Sequence, residues 1–200
     1  MFNVLIVVVC AVTPVSAATR WFGTLAAPDM RTLVYASANR SDGDIDVFSN
    51  LGGRLATLQL PAETATYAGF EQIAARPGTD AYVGATYLSS DNFTVKIFAF
   101  APGAAQSTQT LDDGMGIIQA MVVAKNGELA VCRTADGDSV IDFFEPGATS
   151  VSRSISNSPL EDVFGAAYAP DGTLWLAGLL RGGTLTFAYV SPGGTTVVPA

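Results

Sequence analysis

Ala167-Tyr168-Ala169-Pro170-Asp171-Gly172-Thr173-Leu174-Trp175-Leu176 is the segment that sets the architecture of this chain. Two apolar runs flank a Pro-Asp-Gly turn, in which Pro fixes φ near its turn value and Gly supplies a positive φ. The same piece recurs three times upstream. Leu25-Ala26-Ala27-Pro28-Asp29 precedes Thr32-Leu33-Val34-Tyr35, and Ala74-Ala75-Arg76-Pro77-Gly78 precedes Ala81-Tyr82-Val83. Val122-Val123-Ala124-Lys125-Asn126-Gly127 precedes Leu129-Ala130-Val131. Measured at Pro28, Pro77, Lys125 and Pro170, the spacings are 49, 48 and 45 residues. A fixed period of this length is the mark of a repeat architecture.

A second strand repeats as well: Ile45-Asp46-Val47-Phe48, Val95-Lys96-Ile97-Phe98, Ile141-Asp142-Phe143-Phe144 and Leu185-Thr186-Phe187-Ala188. Their polar residue falls on the opposite pleat from its apolar neighbours. Spacings at the Val47 position are 50, 46 and 44 residues, so two separate registers give one period. Each copy closes on a Gly turn and a Thr- or Ser-rich strand, as in Gly52-Gly53 before Leu55-Ala56-Thr57-Leu58 and Pro192-Gly193-Gly194 before Thr195-Thr196-Val197-Val198. Such a strand suits the outer edge of a sheet with one side in water. A four-stranded unit of about 45 residues is a β-propeller blade. The expectation is an all-β chain of about four four-stranded blades, over residues 21–60, 66–111, 115–156 and 162–200. A β-sandwich is the alternative, although a sandwich has no reason to repeat at one period. Ala62 to Arg76 has helix-like spacing at Tyr67, Phe70, Ile73 and Ala74, yet register makes its second half the inner strand of the next blade.

On these motifs the chain resembles the bacterial β-propeller repeat superfamily with NHL-like, YVTN-like and two-component-regulator-propeller-like blades. Ala169-Pro170-Asp171-Gly172-Thr173-Leu174-Trp175-Leu176-Ala177-Gly178 carries the resemblance best, and Ile141 to Thr149 looks like the later part of such a blade. The resemblance runs from Trp21 to Ala200 and implies that the strand before each Pro-Asp-Gly turn lines the axis. It implies a fold and leaves function open, because sites are grafted onto folds. Streptogramin-lyase-like chemistry depends on histidine, and the sequence has none. Pro170-Asp171-Gly172-Thr173 lacks the spacing of a sialidase box. A gluconolactonase-like propeller would hold a divalent metal by axial carboxylates and Asn, and only Glu71 matches by position.

Composition narrows the function further. With 49% apolar and 14% charged residues the chain can pack a core, and it is too apolar to remain disordered. A formal net charge of -8 repels phosphate backbones, so nucleic acid is not an expected partner. The absence of histidine removes imidazole metal sites and Ser-His-Asp or Cys-His catalysis. Residues 1–18 hold the uncharged run Val4 to Val12, then Pro14 and Val15-Ser16-Ala17, and read as a signal peptide preceding a repeat domain over 19–200. That segment lacks a basic n-region, so an inner strand of a chain starting farther upstream is the other reading. Export implies a secreted or periplasmic protein with no membrane span once the signal is cleaved. Cys132, flanked by Val131 and Arg133, then reads as a small core residue.

An open fan of blades bares a sheet face at each end. A face of four short strands is on the order of 300 Å² and forfeits roughly 7 kcal/mol. Closure is therefore expected, by four blades alone, by a longer propeller, or by two copies as a homodimer. Counting back from the turns places Arg20, Glu71, Gln119, Glu161 and Asp162 at the axial mouth as candidate ligand-binding residues, with no catalytic residue assigned. Their polar groups suit a protein, a carbohydrate or another small polar ligand. No cofactor is required, although a divalent cation fits the carboxylates. Asp44 and Asp46 alternate with Ile45 and Val47 on a strand, while Asp112-Asp113-Gly114 and Asp136-Gly137-Asp138 read as turns.

Overall fold

The computed structural model describes residues 23–25, 36–38, 44–48, 54–59, 61, 66–75, 80–89, 92–101 and 104–200. In chain order the strands are β1 (Gly23–Leu25), β2 (Ala36–Ala38), β3 (Asp44–Phe48), β4 (Arg54–Gln59), β5 (Thr66–Ala75), β6 (Ala81–Ser89), β7 (Asn92–Phe100) and β8 (Gln109–Met115). They continue as β9 (Ile117–Val123), β10 (Leu129–Ala135), β11 (Asp138–Phe144), β12 (Arg153–Ile155), β13 (Leu160–Tyr168), β14 (Leu174–Leu180), β15 (Leu185–Val190) and β16 (Val198–Pro199). The described residues contain no helix, and so none that could cross a membrane. The signal-like segment 1–18 and Arg20 lie outside the described residues.

Two sheets are four-stranded antiparallel meanders, β9 to β12 and β13 to β16. A third, β5 to β8, is the same meander with β1 added, and β2 to β4 form a three-stranded sheet. The helix-like spacing over Ala62–Arg76 yields to register: Thr66–Ala75 is strand β5, pairing along its length with β6. One pairing is added to the expected pattern and one local expectation is corrected. Gly23–Leu25 runs parallel to β5, with Gly23 opposite Ile73 and Leu25 opposite Ala75. An inner strand paired on one side only offers a row of unmet N–H and C=O groups, and β1 meets them. Asp112-Asp113-Gly114 is no turn but part of β8, where register shifts between Thr94 and Lys96 of its neighbour β7. The bulge lets the strand continue to Met115. Asp136-Gly137 is a two-residue hairpin turn as read, both residues at positive φ (53° and 83°), with Ala135 paired to Asp138.

The repeat holds at the level of single hydrogen bonds. Ala124 N–H donates to the Glu128 carbonyl and Gly127 N–H to the Ala124 carbonyl, at 2.8 and 3.0 Å. In the next blade Ala169 donates to Thr173 and Gly172 to Ala169 at the same two distances. Asn126 Oδ1 accepts from Glu128 N–H at 3.1 Å, and Asp171 Oδ1 from Thr173 N–H at 3.0 Å. Gly127 and Gly172 have φ of 90° and 87°, which a side chain would strain, and each lies over a proline of the neighbouring turn, Pro146 or Pro192. These bonds hold the exposed Asp171 carboxyl below its ordinary range, Thr173 being the main cause.

The core lies between sheets. Ala74, Tyr82, Val95, Ile97, Ala99 and Leu111 meet Ile118, Met121, Val123, Leu129, Val131 and Phe144 in one layer. Ala120, Val122, Ala130, Cys132, Ile141, Phe143 and Ile155 meet Leu160, Val163, Ala166, Leu174, Leu176, Ala188, Val190 and Val197 in the next. The third blade thus feeds both layers, because alternate residues of a strand point to opposite faces. Cys132 is fully buried in the second layer, as a core residue.

Candidate functional site

The innermost strands of the three later blades are interrupted at matching places. Pairing with the next strand skips Ala68 and Glu71 in β5, Gln119 in β9, and Glu161 and Phe164 in β13. Glu71, Gln119 and Phe164 therefore hold one equivalent bulge position in successive blades. Bulges re-aim side chains and recur beside functional sites. Counting back from the turns reaches Glu71, Gln119 and Glu161, and all three fall on these irregular positions.

A hydrogen-bonded row links the three blades at this end. Gln72 Nε2 donates to the Gln119 carbonyl at 2.9 Å, and Gln119 Nε2 donates to Thr134 Oγ1 at 3.3 Å. Thr134 Oγ1 donates in turn to Asp162 Oδ1 at 3.2 Å. The buried Ser139 hydroxyl donates to the Glu161 carbonyl at 2.8 Å, while Glu161 itself is exposed. Gly178 gives room for the irregular β13 backbone at this point, since a Cβ there would overlap the Asp162 carbonyl oxygen of the adjacent strand. Gln119 and Asp162 are thus brought together through Thr134, with Glu161 beside them; Glu71 is placed by backbone register alone. Asp138 and Arg181 pair at the same rim, on exposed hairpins.

Sequence reasoning misses Gln72 and Thr134. Gln72 carries only a faint signal, an amide between Glu71 and Ile73 in a largely apolar strand, and it is 7% exposed. Thr134 carries none, because only the assembled sheets bring β10 against the start of β13. Among the described residues no three of His, Cys, Asp and Glu converge at metal-holding distances.

A second polar cluster lies at the other end of β10 and β13. Tyr168 Oη donates to Glu128 Oε1 at 2.7 Å, and Arg153 approaches Glu128 Oε2 at 3.5 Å. Arg153 also donates to the Gly194 carbonyl and stacks 3.4 Å above the Phe143 ring centroid. Burial, then the Glu128 bond and charge, push the Tyr168 phenol far above its usual 10.0. A raised folded-state value stabilises fully below the unfolded pKa and is lost above it, because the unfolded chain then releases a proton the fold retains. Stability should accordingly fall above a pH of about 10. Tyr168→Phe should cost about 1 kcal/mol at pH 7 and flatten that alkaline decline, as urea midpoints between pH 7 and 11 would show. An unchanged slope would exclude Tyr168 as its source.

Solved structures with this arrangement are similar to the chain over most of its length. Against Kuenenia stuttgartiensis hydrazine synthase the TM-score is 0.62 at 16% identity, covering 92% of this chain and 50% of that one. Against the WD40 repeats of RRP9 it is 0.63 at 12% identity, covering 92% and 52%. Against the WD40 domain of Toxoplasma gondii coronin it is 0.58 at 12%, covering 84% and 44%. The fold is a β-propeller. This propeller chain spans about half the length of the solved structures it matches. At these identities the likeness concerns the fold and not the ligand. No protein-family model matches the sequence, and no curated protein is significantly similar to it.

Proposed function

We propose that the chain is a binding and interaction module of the secreted or periplasmic space, with NHL-like blades, that takes its ligand at the bulged mouth. The observation carrying this is the row Gln72–Gln119–Thr134–Asp162, which crosses three blades and ends beside the exposed Glu161. Fixed amide, hydroxyl and carboxylate groups on rigid strands are what a binding site needs for orientation. The acidic rim favours ligands rich in N–H and O–H donors, such as a carbohydrate or a basic protein segment. Export rests on the signal-like residues 1–18.

The test is thermal unfolding of the wild-type chain against a panel of neutral sugars, polyamines and basic peptides. At least one class should raise Tm, since a ligand at 100 times its Kd adds about 2.7 kcal/mol. Asp162→Ala and Gln119→Ala should abolish the shift. A wild-type Tm unmoved by the whole panel, or a shift that survives both substitutions, would count against the site. A second reading, a divalent-metal hydrolase, draws on Glu71 holding the same bulge position as Gln119. It requires calcium, magnesium, manganese or zinc to raise Tm, and Glu71→Ala to remove that rise.

A further inference from the structure

Equivalent positions in the second, third and fourth blades can be counted from the bulge at Glu71, Gln119 and Phe164. Toward the mouth, the two strands after each innermost strand carry the opposed pairs Thr86 and Val95, Thr134 and Ser139, and Leu179 and Leu185. At the same level the innermost strands carry Ala68-Gly69, Gly116-Ile117 and Glu161-Asp162. Of these three blades, only the third opposes two hydroxyls here, and only the fourth brings two carboxylates. Opposed residues share a face of their sheet, and both hydroxyls reach the fourth blade. Thr134 Oγ1 donates to Asp162 Oδ1 at 3.2 Å, and Ser139 Oγ donates to the Glu161 carbonyl at 2.8 Å. Two departures from the repeat thus meet across one seam. The fold does not require them, because Val95 fills the Ser139 position in the second blade and is fully buried there.

The geometry shows what the hydroxyls hold. Pairing with β14 skips Glu161, and a bulge leaves its extra residue out of the ladder. Ser139, 1% exposed, meets the Glu161 carbonyl from the neighbouring blade instead. That carbonyl belongs to the planar peptide unit joining Glu161 to Asp162. One bond therefore fixes the plane from which both acidic side chains depart, and Thr134 fixes the Asp162 carboxylate itself. The two-residue turn at Asp136-Gly137 keeps Thr134 and Ser139 in register. We propose that Ser139 is a positioning residue of the ligand site, acting with Thr134 to hold the Glu161–Asp162 step in the shape the ligand meets. This rests on the reading of the mouth as a binding site.

The decisive variants are Ser139→Thr and Ser139→Val, which share one β-branched shape and differ in the hydroxyl. Both should keep the circular dichroism of the wild type. Backbone NMR order parameters at Glu161 and Asp162 should stay near about 0.85 in the wild type and in Ser139→Thr, and fall below about 0.6 in Ser139→Val. The rest of β13 should not change. Spermine, a probe that offers N–H donors, should raise Tm of the wild type and of Ser139→Thr and leave Ser139→Val unmoved. Equal order parameters in the two variants, a loss of order throughout the fourth blade, or a spermine shift that survives in Ser139→Val would each overturn the proposal. If spermine moves none of the three chains while the order parameters divide as expected, the hydroxyl holds the step and the fault lies in the reading of the mouth as a site for donor ligands.

Discussion

Asp142→Ala should destabilise the fold by about 3–5 kcal/mol, the loss expected when one partner of a buried ion pair is removed. Asp142 lies in the layer between the second and third blades with 2% of its side chain exposed, and it accepts from Arg133 Nε at 2.8 Å. Arg133 is itself 15% exposed and donates to the Met115 carbonyl of β8 at 2.7 Å. Deleting the carboxylate removes the counter-charge that Asp142 supplies to a largely buried guanidinium. The pair orients Arg133 toward the preceding blade, so the loss falls on the contact between blades. Urea unfolding gives the measurement, with the shift in midpoint at constant slope as readout. The double variant Arg133→Met/Asp142→Leu separates pairing from burial, because replacing both charges by apolar groups is often close to neutral. An Asp142→Ala loss below about 1 kcal/mol would place the pair among weak surface bridges.

Phe143→Ala, one residue along, should cost a similar 3–5 kcal/mol or so for an entirely different reason. Its side chain points to the opposite pleat, into the layer between the third and fourth blades, where it is 1% exposed. Truncation leaves a cavity in that layer and removes the ring beneath Arg153. Phe143→Leu should recover most of the volume and reduce the loss to less than half. The Phe143 and Asp142 variants combined should approach the roughly 5–15 kcal/mol that holds a typical domain, and circular dichroism should then show a largely unfolded chain at 25 °C. A Phe143→Ala midpoint within about 0.5 kcal/mol of wild type would mean that the two blades do not share one cooperative core.

Both positions are legible in the residues alone. Alternation in Ile141-Asp142-Phe143-Phe144 places Asp142 and Phe143 on opposite faces, and the structure buries them in opposite layers. The turn repeat is equally plain, since Asn126 and Asp171 cap the same turn in successive blades. Registration between blades is not. Sequence matching aligns Ile97 with Phe143 and Phe187, but pairing makes Ile97, Ile141 and Phe187 equivalent. The match slips by two residues in the third blade, and a slip of two leaves every side chain on its original face. Composition and pleat parity are unchanged by such a slip, so they cannot detect it.

The site itself is only half legible. Counting from the turns marks Glu71, Gln119, Glu161 and Asp162, because distance along a strand is fixed by its rise per residue. Joining Gln119 to Asp162 takes Thr134, which belongs to no recurring pattern and lies 28 residues from Asp162 in the chain. That link exists because the end of β10 is carried against β13.

Strands, turns and the two faces of each sheet follow from residue order alone, because period-two alternation and turn chemistry act over a few residues. Assembly in three dimensions settled the rest: which blade edges meet, that β1 runs beside β5, and that Trp175 and Phe187 of the last blade are left exposed. Those outcomes depend on contacts between residues far apart in the chain, and local pattern carries no record of them.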